Sequence, residues 1–234
     1  MEKKIGKDTT ENITEDIPTD ILENASPEAV IAWAIERFGE KLVIVNSFAD
    51  CILIDMAVKI NPSVQVLFLD TGFHFQETLD YLQSVKDRYN LNLNITTANI
   101  HPSKWPCGTT RCCEFRKVNP LKEALSDKSA WITGIKRVDN ENRRQTPVVH
   151  FDKIFNLVKI NPLVTWTDAD IAIYETEHNL LVHPLKAKGY LSIGCAPTTT
   201  PVLLGDDPRS GRWRGDEKTE CGLHLTPTRI QSTG

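Results

Sequence analysis

Apolar residues recur along this chain in two alternating registers. Val30, Ile31, Ala34 and Ile35 fall three or four apart, the spacing of one helical face. Leu42-Val43-Ile44-Val45 is instead a short continuous apolar run, as expected of a strand covered on both sides. The same pair of patterns returns. Cys51 to Ile60 and Phe75 to Tyr89 read as helices; Val64 to Leu69 and Asn94 to Thr97 read as strands. A helix around Glu114–Ser126 and a strand Ala130–Gly134 continue the series. Local chemistry supports these bounds. Ser26-Pro27-Glu28 combines an N-cap, a proline at the first helical position and an acid in the first turn, and Gly39 closes that helix. Beyond Gly134 the pattern loosens to a strand within Ile154–Ile160 and a helix that Thr167-Asp168-Ala169-Asp170 caps and that runs to about Glu177. Alternating strands and helices predict an α/β fold, a doubly wound and mostly parallel sheet.

The chain has 234 residues, enough for one sizeable α/β domain. We expect three segments: an acidic mobile arm over 1–24, an α/β domain over 25–205, and a flexible tail over 206–234. The arm holds seven acids and three lysines, so it carries the whole net charge of −4. Residues 101–144 hold ten Lys/Arg against five Asp/Glu, an excess suited to an anionic ligand. It is too modest, and lacks the aromatic interleaving, for a nucleic-acid surface. No apolar run reaches the ~18 residues of a membrane span. No apolar signal core follows Met1-Glu2-Lys3-Lys4, so a cytoplasmic protein is expected.

Chemistry concentrates where strands end, because parallel sheets bind ligands beyond their carboxyl edges. Ser47-Phe48-Ala49-Asp50 offers a hydroxyl and backbone N–H groups at a helix start, suited to phosphate. Asp70-Thr71-Gly72 offers a carboxylate and a close-approach glycine. Six cysteines without a secretion signal favour metal or redox chemistry over disulfides. Cys107, Cys112 and Cys113 cluster, and Cys51 belongs to an apolar helix. Cys221, between Glu220 and Gly222, follows Arg209 and Arg212. Cations lower a thiol's pKa and steer an anion towards it, so this segment pairs a nucleophile with its substrate's counter-charges.

Asn46 to Cys51, Leu69 to Phe75, Cys112 to Lys117, Thr133 to Arg137, Ser192 to Pro197 and Lys218 to His224 occur in this order. On these residues the chain, over about 40–225, resembles the assimilatory adenylyl-sulfate (APS) and phosphoadenylyl-sulfate (PAPS) reductases of the adenine-nucleotide α-hydrolase-like, PP-loop-related fold. The resemblance implies that Cys221 attacks the sulfate sulfur of APS, that AMP leaves, and that a thioredoxin-type dithiol releases sulfite from the S-sulfocysteine. It implies that Lys117, Arg144, Arg209 and Arg212 neutralise the phosphosulfate. Ser47, Phe48, Asp50, Asp70, Thr71, Gly72, Gly134 and Arg137 fall in its nucleotide-holding segments, and His224 lies beside the nucleophile. In APS-type members four thiolates hold a [4Fe–4S] cluster. Cys112, Cys113 and Cys195 match three of them, but Thr198 stands at the fourth, and threonine is not a normal iron ligand. Three alternatives follow: Cys107 as the fourth ligand, a cluster with a non-thiolate ligand, or no cluster. The substrate alternatives are PAPS, or both nucleotides. An ATP-pyrophosphatase of related fold is a further rival, although residues 46–50 lack a Gly-Gly turn; a non-catalytic redox sensor is another.

Overall fold

The computed structural model describes residues 17–98, 100–203, 205–214, 218 and 220–224. Six strands form one sheet: β1 Leu42–Val45, β2 Gln65–Asp70, β3 Asn92–Thr97, β4 Ala130–Ile132, β5 Val149–Asp152 and β6 Leu157–Ile160. Their spatial order is β3-β2-β1-β4-β6-β5. All neighbouring pairs are parallel except β5 with β6. The helices are α1 Thr19–Leu22, α2 Pro27–Phe38, α3 Ile52–Ile60, α4 Gln76–Tyr89, α5 Thr110–Cys113, α6 Asn119–Ala124 and α7 Asp168–Glu177.

The apolar runs of β1 and β4 face both ways, as buried parallel strands must. Leu42 and Ile44 join Val30, Ile31 and Ala34 of α2 and Leu53 and Met56 of α3 in one core layer. Val43, Leu67 and Trp131 point the other way, against Leu121 and Leu125. Helices therefore cover both faces, the doubly wound arrangement. Asp55 ties the first layer together: buried, it accepts from Tyr89 Oη at 3.0 Å, Tyr174 Oη at 2.8 Å and Lys59 Nζ at 2.6 Å. Cys51 is buried in this layer. Among the described residues no helix is long and apolar enough to cross a membrane.

Three expectations change. Residues 17–24 are not a mobile arm. Leu22 is buried, and the Glu23 carboxylate pairs with Arg137 at 2.7 Å and accepts from the Val148 N–H at 2.8 Å; residues 1–16 lie outside the described residues. The strand expected within Ile154–Ile160 is the second arm of a hairpin, whose first arm, β5, was hidden by its polar His150 and Asp152. Asn156 makes the turn with φ +59°, a left-handed conformation that asparagine tolerates better than most residues. Finally, the helix expected from Glu114 begins at Thr110 and is interrupted by a π-turn over Glu114–Val118. Pro120 accounts for the interruption: it has no N–H for the Arg116 carbonyl and its ring crowds that oxygen.

The tail, expected to be flexible, is folded over the sheet in its described part. The Thr200 N–H donates to the Gly211 carbonyl at 2.8 Å and the Trp213 N–H to the Thr198 carbonyl at 2.9 Å. Residues 225–234 lie outside the described residues.

Candidate functional site

A cavity of about 470 Å³ opens at the carboxyl ends of β1, β2 and β4. That is where the strand order reverses and where such sheets bind ligands. Three loops form its floor. Ser47 and Asp50 follow β1, Thr71 and His74 follow β2, and Thr133, Gly134 and Lys136 follow β4. Lys117 enters from the π-turn, Cys195 from the opposite wall, and Arg209, Arg212, Cys221 and His224 from the tail.

Cys221 is the focus of this arrangement. Lys117 Nζ donates to its Sγ at 3.4 Å. The Cys221 thiol is held well below the ordinary thiol range: a hydrogen bond from Cys113 and the Lys117 and Arg212 charges outweigh burial. Cys113 moves the opposite way because its hydrogen bond to Cys221 favours its protonated form. Burial opposes the charge of Lys117, yet the sulfurs of Cys221, Cys195 and Cys113 raise its pKa, so it stays protonated. Lys117 and Cys221 thus face each other inside a cavity, and a cation at this distance favours the thiolate, the reactive state of cysteine.

The preceding residue fixes this thiolate in place. Glu220 is 3% exposed. Its Oε2 accepts from Arg143 Nε at 2.6 Å and Asn140 Nδ2 at 2.9 Å, and its Oε1 from Arg143 Nη2 at 2.9 Å. This is a bidentate, charge-assisted clamp. The same Oε1 accepts from the Cys221 N–H at 2.8 Å and from Arg209 Nη2 at 3.4 Å. Asp139 pairs with both Arg143 and Lys136, completing a buried network.

Arg212 is held against the backbone of Gly194. A Cβ there would sit 2.1 Å from Arg212 Nη2, so only glycine admits the guanidinium. Its Nη1 donates to Ser192 Oγ at 3.3 Å and the Ile193 carbonyl at 3.2 Å, while its buried Nε has no hydrogen-bond partner among the described residues. The indole of Trp213 lies 4.5 Å from the guanidinium and 5.4 Å from Lys218 Nζ, a cation–π seat for both. His224 is kept neutral by burial and by Lys159, Arg143, Arg209 and Lys117 around it. Lys159 Nζ, 3.1 Å from Nδ1, makes that nitrogen the acceptor and leaves the proton on Nε2.

Five residues expected to bind substrate are elsewhere. Phe48 is fully buried beneath the β1 loop, packed edge-on against Phe68. Asp70 caps its own turn by accepting from the Gly72 N–H at 2.8 Å, and Gly72, at φ +72°, faces Arg116 rather than the cavity. Arg137 is spent on Glu23 and the Thr146 carbonyl. Arg144 is 72% exposed and pairs with Glu141. The arginine turned towards the cavity is its neighbour Arg143. Arg143, Lys136, Asp139 and Glu220 escaped the sequence reading. Lys136, Asp139 and Arg143 lie three and four positions apart, but the Arg143–Glu220 pair joins residues 77 positions apart, which periodicity does not encode.

The thiols fall into one neighbourhood with two contacts. Cys113 Sγ accepts from Lys218 Nζ at 3.0 Å, and Cys107 Sγ lies 3.8 Å from Thr198 Oγ1. Cys195 also lies 3.6 Å from Thr71 Oγ1. Among the described residues no three His, Cys, Asp or Glu side chains converge on a single metal ion. A cubane makes a different demand, because each thiolate binds its own iron and the sulfurs stand around a box. Cys112, Cys113 and Cys195, all buried, carry the thiols that three corners of such a box would require.

Comparison with known proteins gives a consistent result. Residues 41–201 match the family model described as the phosphoadenosine phosphosulfate reductase domain. A protein of Mycobacteroides abscessus named adenosine 5′-phosphosulfate reductase is 42% identical over 218 residues, covering 88% of this chain and 90% of its own. One of the same name from Mycolicibacterium smegmatis is 43% identical over 214 residues, with 88% and 91% covered. Among solved structures, the phosphoadenylyl-sulfate (PAPS) reductase from Candida auris in a phosphate complex superimposes with a TM-score of 0.70 at 26% identity, over 85% of this chain and 100% of that one. Candida glabrata FMN adenylyltransferase, at 14% identity and TM-score 0.60 over 90% and 82% of the chains, shares the fold alone.

Proposed function

Because this chain belongs to the phosphoadenosine phosphosulfate reductase domain family, we propose that it is the sulfite-forming enzyme that acts on adenosine 5′-phosphosulfate, in sulfate assimilation. The observation that carries the reading is the Cys221–Lys117 pair, 3.4 Å apart, in a cavity that Arg209 and Arg212 also line. The substrate's sulfuryl–phosphate anhydride is multiply charged, and a thiolate meets it only where those charges are screened. Lys117, Arg209 and Arg212 supply that screening. The Cys221 thiolate attacks the sulfate sulfur, the bond from sulfur to the phosphate oxygen breaks, and AMP departs with the electron pair. Lys117, released from the thiolate, is placed to neutralise the departing phosphate. A dithiol protein of the thioredoxin kind then attacks Cys221 Sγ, sulfite leaves, and its second thiol frees Cys221. The two electrons come from that dithiol. The nucleoside fits the floor formed by Ser47, Asp50, Thr71 and Gly134.

The cluster belongs to the same proposal. Cys112, Cys113 and Cys195 would hold three of its irons, and its contribution when bound is electrostatic, a polarising charge beside the anionic substrate.

APS is favoured over PAPS by the names of the relatives at 40% identity or above. The test is to supply APS, PAPS or ATP with a reduced dithiol protein and to quantify sulfite and nucleotide. Sulfite and AMP should form fastest from APS. A larger kcat/KM with PAPS would reassign the substrate, and ATP turnover without sulfite would overturn the reading.

The Gly194–Arg212 contact gives an independent prediction. Gly194→Ala should push the guanidinium aside and raise KM for APS about tenfold, the worth of about 1.4 kcal/mol, with little change in Tm. An unchanged KM in steady-state kinetics would remove Arg212 from substrate binding.

A further inference from the structure

We infer that Cys107 supplies the fourth thiolate of the cluster site, in place of the threonine at 198. The inference rests on the reading that this neighbourhood holds an iron–sulfur cluster. Three observations carry it. Cys107 Sγ stands 3.8 Å from Thr198 Oγ1, so the loop brings a thiol to the side chain that lacks one. The loop is pressed onto this place: a Cβ on Gly108 would lie 3.1 Å from Thr198 Cγ2, and Gly108 takes φ +98°, a conformation glycine adopts without strain. Lys218 Nζ bridges the Gly108 carbonyl at 3.1 Å and Cys113 Sγ at 3.0 Å, joining the Cys107 loop to the adjacent thiols.

The chemistry distinguishes the two candidates. A threonine hydroxyl is not deprotonated near neutral pH and is a poor partner for the soft irons of a cluster, whereas a cysteine thiolate is their usual ligand. Thr198 Oγ1 already has the Cys195 carbonyl at 3.4 Å. Cys107 is only half-buried. It borders, with Thr198, Thr109 and Trp213, a cavity of about 270 Å³. Short loops re-aim a side chain more readily than helices do, so Cys107 can turn where Cys112 and Cys113, on α5, are fixed.

The experiment is iron and acid-labile sulfide per chain, with the visible absorption spectrum, on full-length protein purified without oxygen. The wild type should carry roughly four of each, and Cys107→Ser should fall below about one. Cys107→Ser/Thr198→Cys should regain the full content, because it moves the thiol to the other side of the same contact. Full loading of Cys107→Ser would overturn the proposal while leaving a cluster in place. So would a wild type without iron beside a loaded Thr198→Cys variant. A loss in Cys107→Ser that Thr198→Cys does not restore, at unchanged far-UV circular dichroism, would assign Cys107 to loop structure instead. No iron in any variant would remove the cluster reading and the proposal together.

Discussion

Cys221→Ser is expected to stop sulfite release, with kcat falling at least about 10³-fold, while APS still binds. The two halves of this result have separate physical origins. A serine hydroxyl is not ionised by Lys117, so the nucleophile is lost. Lys117, Arg209 and Arg212 remain, so the anion is still held. The wild type, given APS but no dithiol, should accumulate one sulfo group on the Cys221 peptide and release one equivalent of AMP. Intact-protein mass spectrometry and a binding titration check both halves. A Cys221→Ser variant that turns over, or an adduct on Cys113 or Cys195, would move the reaction to another thiol. The comparison is necessary because Cys113 and Cys221 bias each other's ionisation, which makes Cys113 an alternative nucleophile.

Much of the fold was legible because burial on both faces of a sheet leaves a plain trace. Leu42-Val43-Ile44-Val45 is apolar throughout, and Ser26-Pro27-Glu28 announces α2 by local hydrogen bonding alone. β5 was not legible, since its His150 and Asp152 break the apolar run and the strand needs its hairpin partner to be recognised. The π-turn was hidden for a similar reason: Pro120 was visible, but its effect on the Arg116 carbonyl depends on the helix having started four residues before Glu114. In the cavity, Cys221, Arg209 and Arg212 could be found because reactive side chains announce their own chemistry, whereas Lys117 was named through the family resemblance alone. Phe48, Asp70 and Arg137 looked similar in sequence, yet a side chain's direction is set by packing. Arg143 and Arg144 show the limit most clearly. They are adjacent and identical in type, and only the turn at Asn140, whose side chain accepts from the Arg143 N–H at 3.1 Å, sends one inward.

Arg143→Met should cost catalysis through the tail, although Arg143 makes no contact with the nucleophile's sulfur. The pair it forms with Glu220 is buried on both sides, 9% and 2% exposed. Removing one partner of such a pair costs about 3–5 kcal/mol, because a buried charge is left uncompensated. Here the group is Glu220, left with Asn140 at 2.9 Å and the more distant Arg209 at 3.4 Å, and it can regain water only by lifting the segment that carries Cys221. The expected result is a loss of up to about 100-fold in kcat, the equivalent of about 3 kcal/mol, with a much smaller change in global Tm. Arg143→Met/Glu220→Gln should recover part of that loss, since the Glu220 charge that lost its bidentate partner is then gone. The pH dependence has a definite sign. Burial pushes the Glu220 carboxyl up, but the Arg143 hydrogen bond and charge and the Arg209 charge pull it further down, below its ordinary 4.5. A carboxylate with a depressed folded pKa contributes fully above its unfolded value and loses that contribution as pH falls through the folded one. Tail docking should thus be level from neutral pH to about 5 and weaken only in stronger acid. Arg143→Met should lose that acid-dependent step. Hydrogen exchange of the 218–224 peptide, followed across pH in both proteins, measures it directly. Equal protection in wild type and Arg143→Met at neutral pH would show that the clamp does not hold the tail.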